Sequence, residues 1–143
     1  MKDLKILLIE DEPMIMKIAQ QMLERLGYTP ACAINGAQAL DLFNKEVFDI
    51  VITDIGLPDI DGIALVDRFR LTESMKGRER SHIVAVTAYC LDEVQHQCFV
   101  SGVNDLIAKP MTMTLLEHFI GKVICGKASG AMPDTLLQES EVE

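Results

Sequence analysis

Asp49-Ile50-Val51-Ile52-Thr53-Asp54-Ile55-Gly56-Leu57-Pro58-Asp59-Ile60-Asp61-Gly62 is the stretch on which the fold turns. Its first part is a short apolar run that ends on a carboxylate. Its second part, Gly56 to Asp61, has the composition of a loop. Three other stretches share this pattern. Lys5-Ile6-Leu7-Leu8-Ile9 runs into Glu10-Asp11, Ile83-Val84-Ala85-Val86 into Thr87, and Asp105-Leu106-Ile107-Ala108 into Lys109-Pro110. Each run reads as a short buried strand, and buried strands flanked by helices are usually parallel. Parallel strands share one carboxyl-end edge, so the acids, the hydroxyl and the ammonium at these four strand ends are expected in one pocket.

Helical patterns fill the spaces between. Pro13 suits the first turn of a helix. Ile15, Ile18, Ala19, Met22, Leu23 and Leu26 then recur at helical spacing up to Gly27, a C-cap residue. Tyr28 to Ala33 reads as a second strand, with Pro30 pointing to an edge position. Asn35-Gly36 turns into a helix with Ala37, Leu40 and Phe43. Gly62 to Leu71 gives another, with Ile63, Val66 and Phe69 inward. Thr72 to Ser81 is polar and reads as a surface loop. Asp92 is placed to cap a helix carrying Val94, Cys98 and Phe99 that ends near Gly102. A last helix starts near Thr112, with Thr112 and Thr114 as caps and Leu116, Phe119, Ile120 and Val123 on its apolar face.

Five strands alternating with five helices predict a three-layer α/β fold with right-handed crossovers. In a doubly wound sheet of order 2-1-3-4-5, ligands bind between strands 1 and 3, where Asp11 and Asp54 are expected. Residues 1–125 read as one domain and 126–143 as a linker and acidic tail, since periodicity fades from Gly126 onward. A strand almost at residue 1 suggests a module of a longer protein.

The net charge of −9 argues against a nucleic-acid partner. No apolar stretch approaches a membrane span, and the N-terminus lacks a signal-peptide pattern, so a cytoplasmic location is expected, a reading that leaves room for a membrane-anchored parent protein. Cys32, Cys90, Cys98 and Cys125 are scattered, which suits buried thiols in a reducing compartment better than a zinc cluster.

The chemistry follows from crowding. Glu10, Asp11 and Asp54 brought together repel one another, and a hard divalent cation relieves this. Mg²⁺ takes oxygen ligands and is commonly held by one or two carboxylates plus phosphate oxygens. Asp11 and Asp54 are expected as direct ligands and Glu10 through water. A carboxylate is also a nucleophile towards phosphorus. Asp54 is then the acceptor, with Lys109 and Thr87 each pairing with a phosphoryl oxygen.

Glu10-Asp11, the segment Asp54 to Gly62 with its Asp-x-x-x-Pro-x-x-Asp-Gly spacing, Val86-Thr87-Ala88 and Lys109-Pro110 together resemble the receiver domains of two-component phosphorelay signalling, over about residues 4 to 124. The resemblance implies a flavodoxin-like (βα)5 sandwich and a phosphohistidine as phosphoryl donor. It also implies a Gly56 carbonyl that completes the Mg²⁺ site, a cis Lys109–Pro110 bond, and positions Gly56 and Tyr89 that tune phosphate loss. Leu106 stands where many receivers carry Tyr or Phe, so the aromatic switch is absent. Either Leu106 repacks instead or the signal passes without that rotation. Receivers lacking the aromatic, with a long loop like Glu73 to Ser81, are similar to those of hybrid sensor histidine kinases of the ArcB type.

The partners implied are a histidine kinase, a histidine phosphotransfer domain, or both, with a homodimer possible. On this reading the chain is a phosphoacceptor and not itself a kinase. The alternatives are a stand-alone regulator acting by protein–protein interaction, a phosphate-independent interaction domain, and an aspartate-nucleophile phosphohydrolase suggested by Asp59-Ile60-Asp61-Gly62.

Overall fold

The computed structural model describes residues 4–88 and 92–129, with side chains described through residue 125. The elements run β1 (Ile6–Ile9), α1 (Pro13–Arg25), β2 (Ala31–Ala33), α2 (Gly36–Lys45), β3 (Ile50–Asp54), α3 (Gly62–Lys76), β4 (His82–Thr87), α4 (Asp92–Ser101), β5 (Asp105–Ala108) and α5 (Met113–Ser129). The strands form one sheet of order β2-β1-β3-β4-β5, and every pairing is parallel. The fold is therefore the doubly wound sandwich expected from the strand–helix alternation.

The apolar runs split between two cores. Ile6, Leu8, Ile50, Ile52, Val84, Val86 and Ile107 face α1 and α5, where Met16, Ala19, Leu23, Leu116, Phe119, Ile120 and Val123 cover them. Leu7, Ile9, Val51, Ile83 and Ala85 face the other way, onto Ala39, Phe43, Leu65, Val66, Phe69 and Cys98 of α2, α3 and α4. Continuous apolar strands are what a sheet covered on both faces requires.

Helix faces depart in places from the sequence reading. Met16, rather than Ile15 or Ile18, enters the core from α1, and Ile15 and Ile18 stay exposed. Ala39, not Ala37, is the buried alanine of α2, and Phe99 of α4 is exposed. The second strand is shorter than expected, covering Ala31–Ala33 after Pro30, and it lies at the sheet edge.

The largest departure is Thr72 to Ser81. Helix α3 runs on to Lys76 and stops at Gly77, whose φ of 65° is the left-handed cap conformation. Glu73, which the polar composition assigns to a surface loop, is buried. Its carboxylate accepts from Arg70 Nη1 at 2.8 Å and from both the amide and hydroxyl of Ser81 at 2.8 Å. The polar composition hid a helical turn whose charged groups pair inside the molecule. The end of α3 and the turn after it also reach α2, because Lys76 and Arg78 donate to Asn44 O, and Arg78 donates to Phe43 O as well. Helix α5 continues through Ser129, four residues past the expected boundary at 125. The remainder of the expected linker and tail, residues 130–143, lies outside the described residues.

Candidate functional site: an acidic pocket at the carboxyl edge of the sheet

Register brings the strand ends together. Ile9 pairs with Thr53, so Glu10 and Asp54 emerge side by side from β1 and β3. Asp54 pairs with Val86 and Thr87 with Ala108, which sets Thr87 and Lys109 one step further out on β4 and β5. Single backbone bonds extend the ladders past the strand ends. Glu10 N donates to Ala33 O at 3.0 Å, Ile55 N to Val86 O at 3.1 Å, and Lys109 N to Thr87 O at 2.9 Å. The functional side chains thus start from hydrogen-bonded backbone.

Glu10, Asp11 and Asp54 each offer a carboxylate oxygen within 4.8 Å of the others. Glu10, Asp54 and Thr87 are buried, whereas Asp11 is exposed. Lys109 Nζ lies 3.0 Å from Asp54 Oδ2 and 3.9 Å from Glu10 Oε1. The second Asp54 oxygen accepts from Gly56 N at 3.1 Å. Glu10 Oε2 accepts from Glu12 N at 3.1 Å, which fixes the turn into α1. The Lys109–Pro110 peptide is cis. Glu10, Asp11, Asp54, Gly56, Thr87 and Lys109 are therefore all at this edge. Tyr89 lies outside the described residues.

The family profile described as a response regulator receiver domain matches residues 6–120. The chain belongs to the receiver domains. Its sequence is 32% identical over 116 residues to the sensor histidine kinase RcsC of Salmonella typhimurium, covering 81% of this chain and 12% of that protein. It is 32% identical over 133 residues to the virulence sensor protein BvgS of Bordetella pertussis, covering 91% of this chain and 10% of BvgS. The chain thus spans about a tenth of the length of these relatives. Among solved structures, the receiver domain of the sensor histidine kinase PA1611 of Pseudomonas aeruginosa, which has magnesium coordinated in its active-site cleft, aligns with a TM-score of 0.76 at 30% identity, covering 86% of this chain and 98% of that one. The chemotaxis protein CheY4 of Vibrio cholerae shares the fold at a TM-score of 0.77 and 24% identity, covering 85% and 99%. The receiver resembles those of hybrid sensor histidine kinases, the phosphoacceptor modules of phosphorelays.

The receiver's electrostatics follow from unequal numbers of acids and bases. Burial raises the Glu10 pKa above its ordinary value, and the charges of Asp54 and Asp11 add to this, against the Glu12 amide and Lys109. Burial alone would depress Lys109, but the hydrogen bond and charge of Asp54, helped by Glu10 and Asp11, hold it above the ordinary lysine value. Lys109 therefore stays an ammonium, and it neutralises only part of the acidic cluster. An oxygen-only donor set with excess negative charge fits a hard divalent cation.

The sequence reading missed two features. A cavity of about 170 Å³ opens beside Asp54 and Lys109, lined by Ile15, Ile18, Met22, Val86, Pro110 and Met111. Helical spacing signalled these α1 residues as apolar but gave no sign that the helix leaves a gap against the Lys109–Met111 turn. The second feature is the hold of Asp59 on α2, which bears on the phosphohydrolase alternative. As the sequence implies, Asp54 and not Asp59 ends the buried strand, and both Asp59 oxygens accept from the amides of Gly36 and Ala37, at 2.8 and 3.0 Å. Asp59 is thereby tied to the start of α2 and does not stand at the end of a buried strand, where that alternative needs its nucleophile.

Proposed function

We propose that Asp54 accepts a phosphoryl group from a phosphohistidine, with Mg²⁺ as cofactor, and passes the signal on as the receiver of a hybrid sensor histidine kinase. The carrying observation is the Asp54 carboxylate itself, held by Lys109 on one oxygen and by the Gly56 amide on the other at the meeting point of three acids. In the transfer, an Asp54 oxygen forms a bond to phosphorus as the donor's N–P bond breaks. The electron pair leaves with the imidazole, which takes a proton from solvent. Asp11, Asp54 and the Gly56 carbonyl would hold the cation directly and Glu10 would act through water. When bound, Mg²⁺ would supply positive charge against the phosphoryl oxygens. Lys109 exchanges its Asp54 contact for a phosphoryl oxygen, and the Thr87 hydroxyl serves another.

The partner is a histidine kinase or a histidine phosphotransfer domain in the cytoplasm, and helix α1 supports this reading. Ile15 and Ile18 are 42% and 50% exposed and line the apolar cavity beside the acceptor, and Met14, just before them on α1, is 66% exposed. Such a patch beside the reacting carboxylate suits an apolar helix face that carries a phosphohistidine. No helix among the described residues is long and apolar enough to cross a membrane.

Acetyl phosphate and Mg²⁺ should add one phosphoryl group to the protein, seen by intact mass, and Asp54→Asn should abolish it. Unmodified wild-type protein under these conditions, or undiminished labelling of Asp54→Asn, would overturn the assignment. Lys109→Ala should be labelled slowly, or should be labelled without relaying to the partner.

A further inference from the structure

The loop between β3 and α3 is fastened at its ends and again at its tip. At its ends, Gly56 and Asp61 form an antiparallel bridge, and Gly62 N donates to Ile55 O at 2.9 Å. Gly62 permits this closure, because a Cβ there would lie 2.5 Å from Ile55 Cα. At the tip, Asp59 reaches out of its own loop to α2. Its Oδ1 accepts from Gly36 N at 2.8 Å and its Oδ2 from Ala37 N at 3.0 Å. Ile60 sits against Gly36 so closely that a Cβ on Gly36 would come within 2.0 Å of Ile60 Cγ2.

Helix α2 does not need Asp59 to begin. Asn35 is its N-cap, accepting from Gln38 N at 2.8 Å, and Gln38 reaches back to Ile34 N at 3.0 Å. A carboxylate at a helix N-terminus is favourable in itself. What Asp59 adds is a tie between α2 and the loop that carries Gly56, the residue whose amide holds Asp54 at 3.1 Å.

We infer that Asp59 is a positioning residue for the cation site: by gripping the first two amides of α2, it holds the loop so that Gly56 stays in place beside Asp54. The inference rests on the reading of Asp11, Asp54 and Gly56 as cation ligands. Partners that orient metal ligands commonly change affinity by tenfold or more when removed. Freeing the tip lets the loop sample other conformations, and ordering it again on binding costs free energy.

Calorimetric titration of Mg²⁺ into the unphosphorylated 143-residue chain tests this, with circular dichroism to verify folding. Asp59→Ala should weaken Mg²⁺ binding about tenfold. Asp59→Asn, which keeps one accepting oxygen and can hold one of the two amides, should recover part of that loss. Asn35→Ala strips the neighbouring cap without touching the loop, so it should lower Tm and leave Mg²⁺ affinity unchanged. Amide hydrogen exchange at Gly56 to Ile60 should speed up in Asp59→Ala and not in Asn35→Ala. Wild-type affinity in Asp59→Ala would overturn the inference. So would equal losses in Asp59→Ala and Asn35→Ala, which would mark general destabilisation, or equal losses in Asp59→Ala and Asp59→Asn, which would mark missing charge alone. If Asp59→Ala does not fold, Asp59→Asn against Asn35→Ala decides. A wild-type protein that binds no Mg²⁺ would overturn the underlying site assignment and this inference with it.

Discussion

At the amino ends of β4 and β5, Asp105 is buried between two bases, whereas at the carboxyl ends Asp54 is buried among more acids. Lys122 Nζ from α5 lies 3.0 and 2.9 Å from the two Asp105 oxygens, and His82 Nε2 lies 2.7 Å from Oδ2. Beside this group, Arg70 donates to Glu73, to Ser81 O, to Gly102 O and to Asn104 Oδ1, so the acid and the base are both satisfied. At the other edge, Glu10, Asp11 and Asp54 share Lys109. One end of the sheet matches its buried charges and so holds helices in place. The other leaves negative charge in excess, and that excess is a standing capacity to bind a cation. Coulomb repulsion at the carboxyl edge is tolerated because the rest of the fold is well packed.

The largest test of this contrast is loss of a lysine from each end. Lys122→Ala leaves Asp105 buried without its ammonium and should cost about 3 to 5 kcal/mol in denaturant unfolding. Lys109→Ala should cost roughly 1 kcal/mol, since water reaches this edge. Equal costs would break the distinction between a matched end and an unmatched one.

Next in size is the effect of removing an acid. Asp11→Asn lifts one charge from the cluster without exposing any core, and should raise metal-free stability by about 0.5 kcal/mol. The same variant should lose most of the extra thermal stability that saturating Mg²⁺ gives the wild type. A fall in metal-free stability would mean that Asp11 is held by favourable contacts rather than strained by its neighbours.

The finest test is pH dependence in the presence of a chelator. Burial would raise Asp105, but the hydrogen bonds and charges of His82 and Lys122 outweigh it and hold its pKa below the ordinary 3.8. Its contribution to stability is therefore present above that value and lost as pH falls through the lowered folded value. Glu10 has the opposite sign. Its pKa is raised from 4.5, mainly by burial, so its contribution is present below 4.5 and lost as pH rises through the folded value. In urea titrations across pH, Asp105→Asn should flatten the acid side below 3.8 and Glu10→Gln the side above 4.5. Matching pH profiles for the two variants would show that the ends do not differ as described.

Much of this was legible in the chain itself. Four apolar runs ending on chemistry-bearing residues gave four of the five strands and the residues of the pocket, because a strand's end is read along the sequence. Glu73 and Arg70 were not legible as a buried pair. Their spacing suits a helix, yet the polar composition from Thr72 to Ser81 says surface, and only packing against Ser81, Gly102 and Asn104 reverses that. Ile15 and Met16 show the same limit on a smaller scale. Both are apolar, and which of them enters the core depends on the rotation at which α1 meets the sheet.

By itself the sequence determined the order of elements, the two-faced burial of the sheet and the gathering of Glu10, Asp11, Asp54, Thr87 and Lys109 at one edge. Those are consequences of apolar runs and of the shared direction of parallel strands, which act along the backbone. Only the tertiary structure decided that Asp105 takes Lys122 and His82, that Asp59 grips α2, and that a cavity opens beside Asp54. Each of these joins elements distant in the chain, and such pairings are set by how helices dock, a quantity that no local pattern of residues carries.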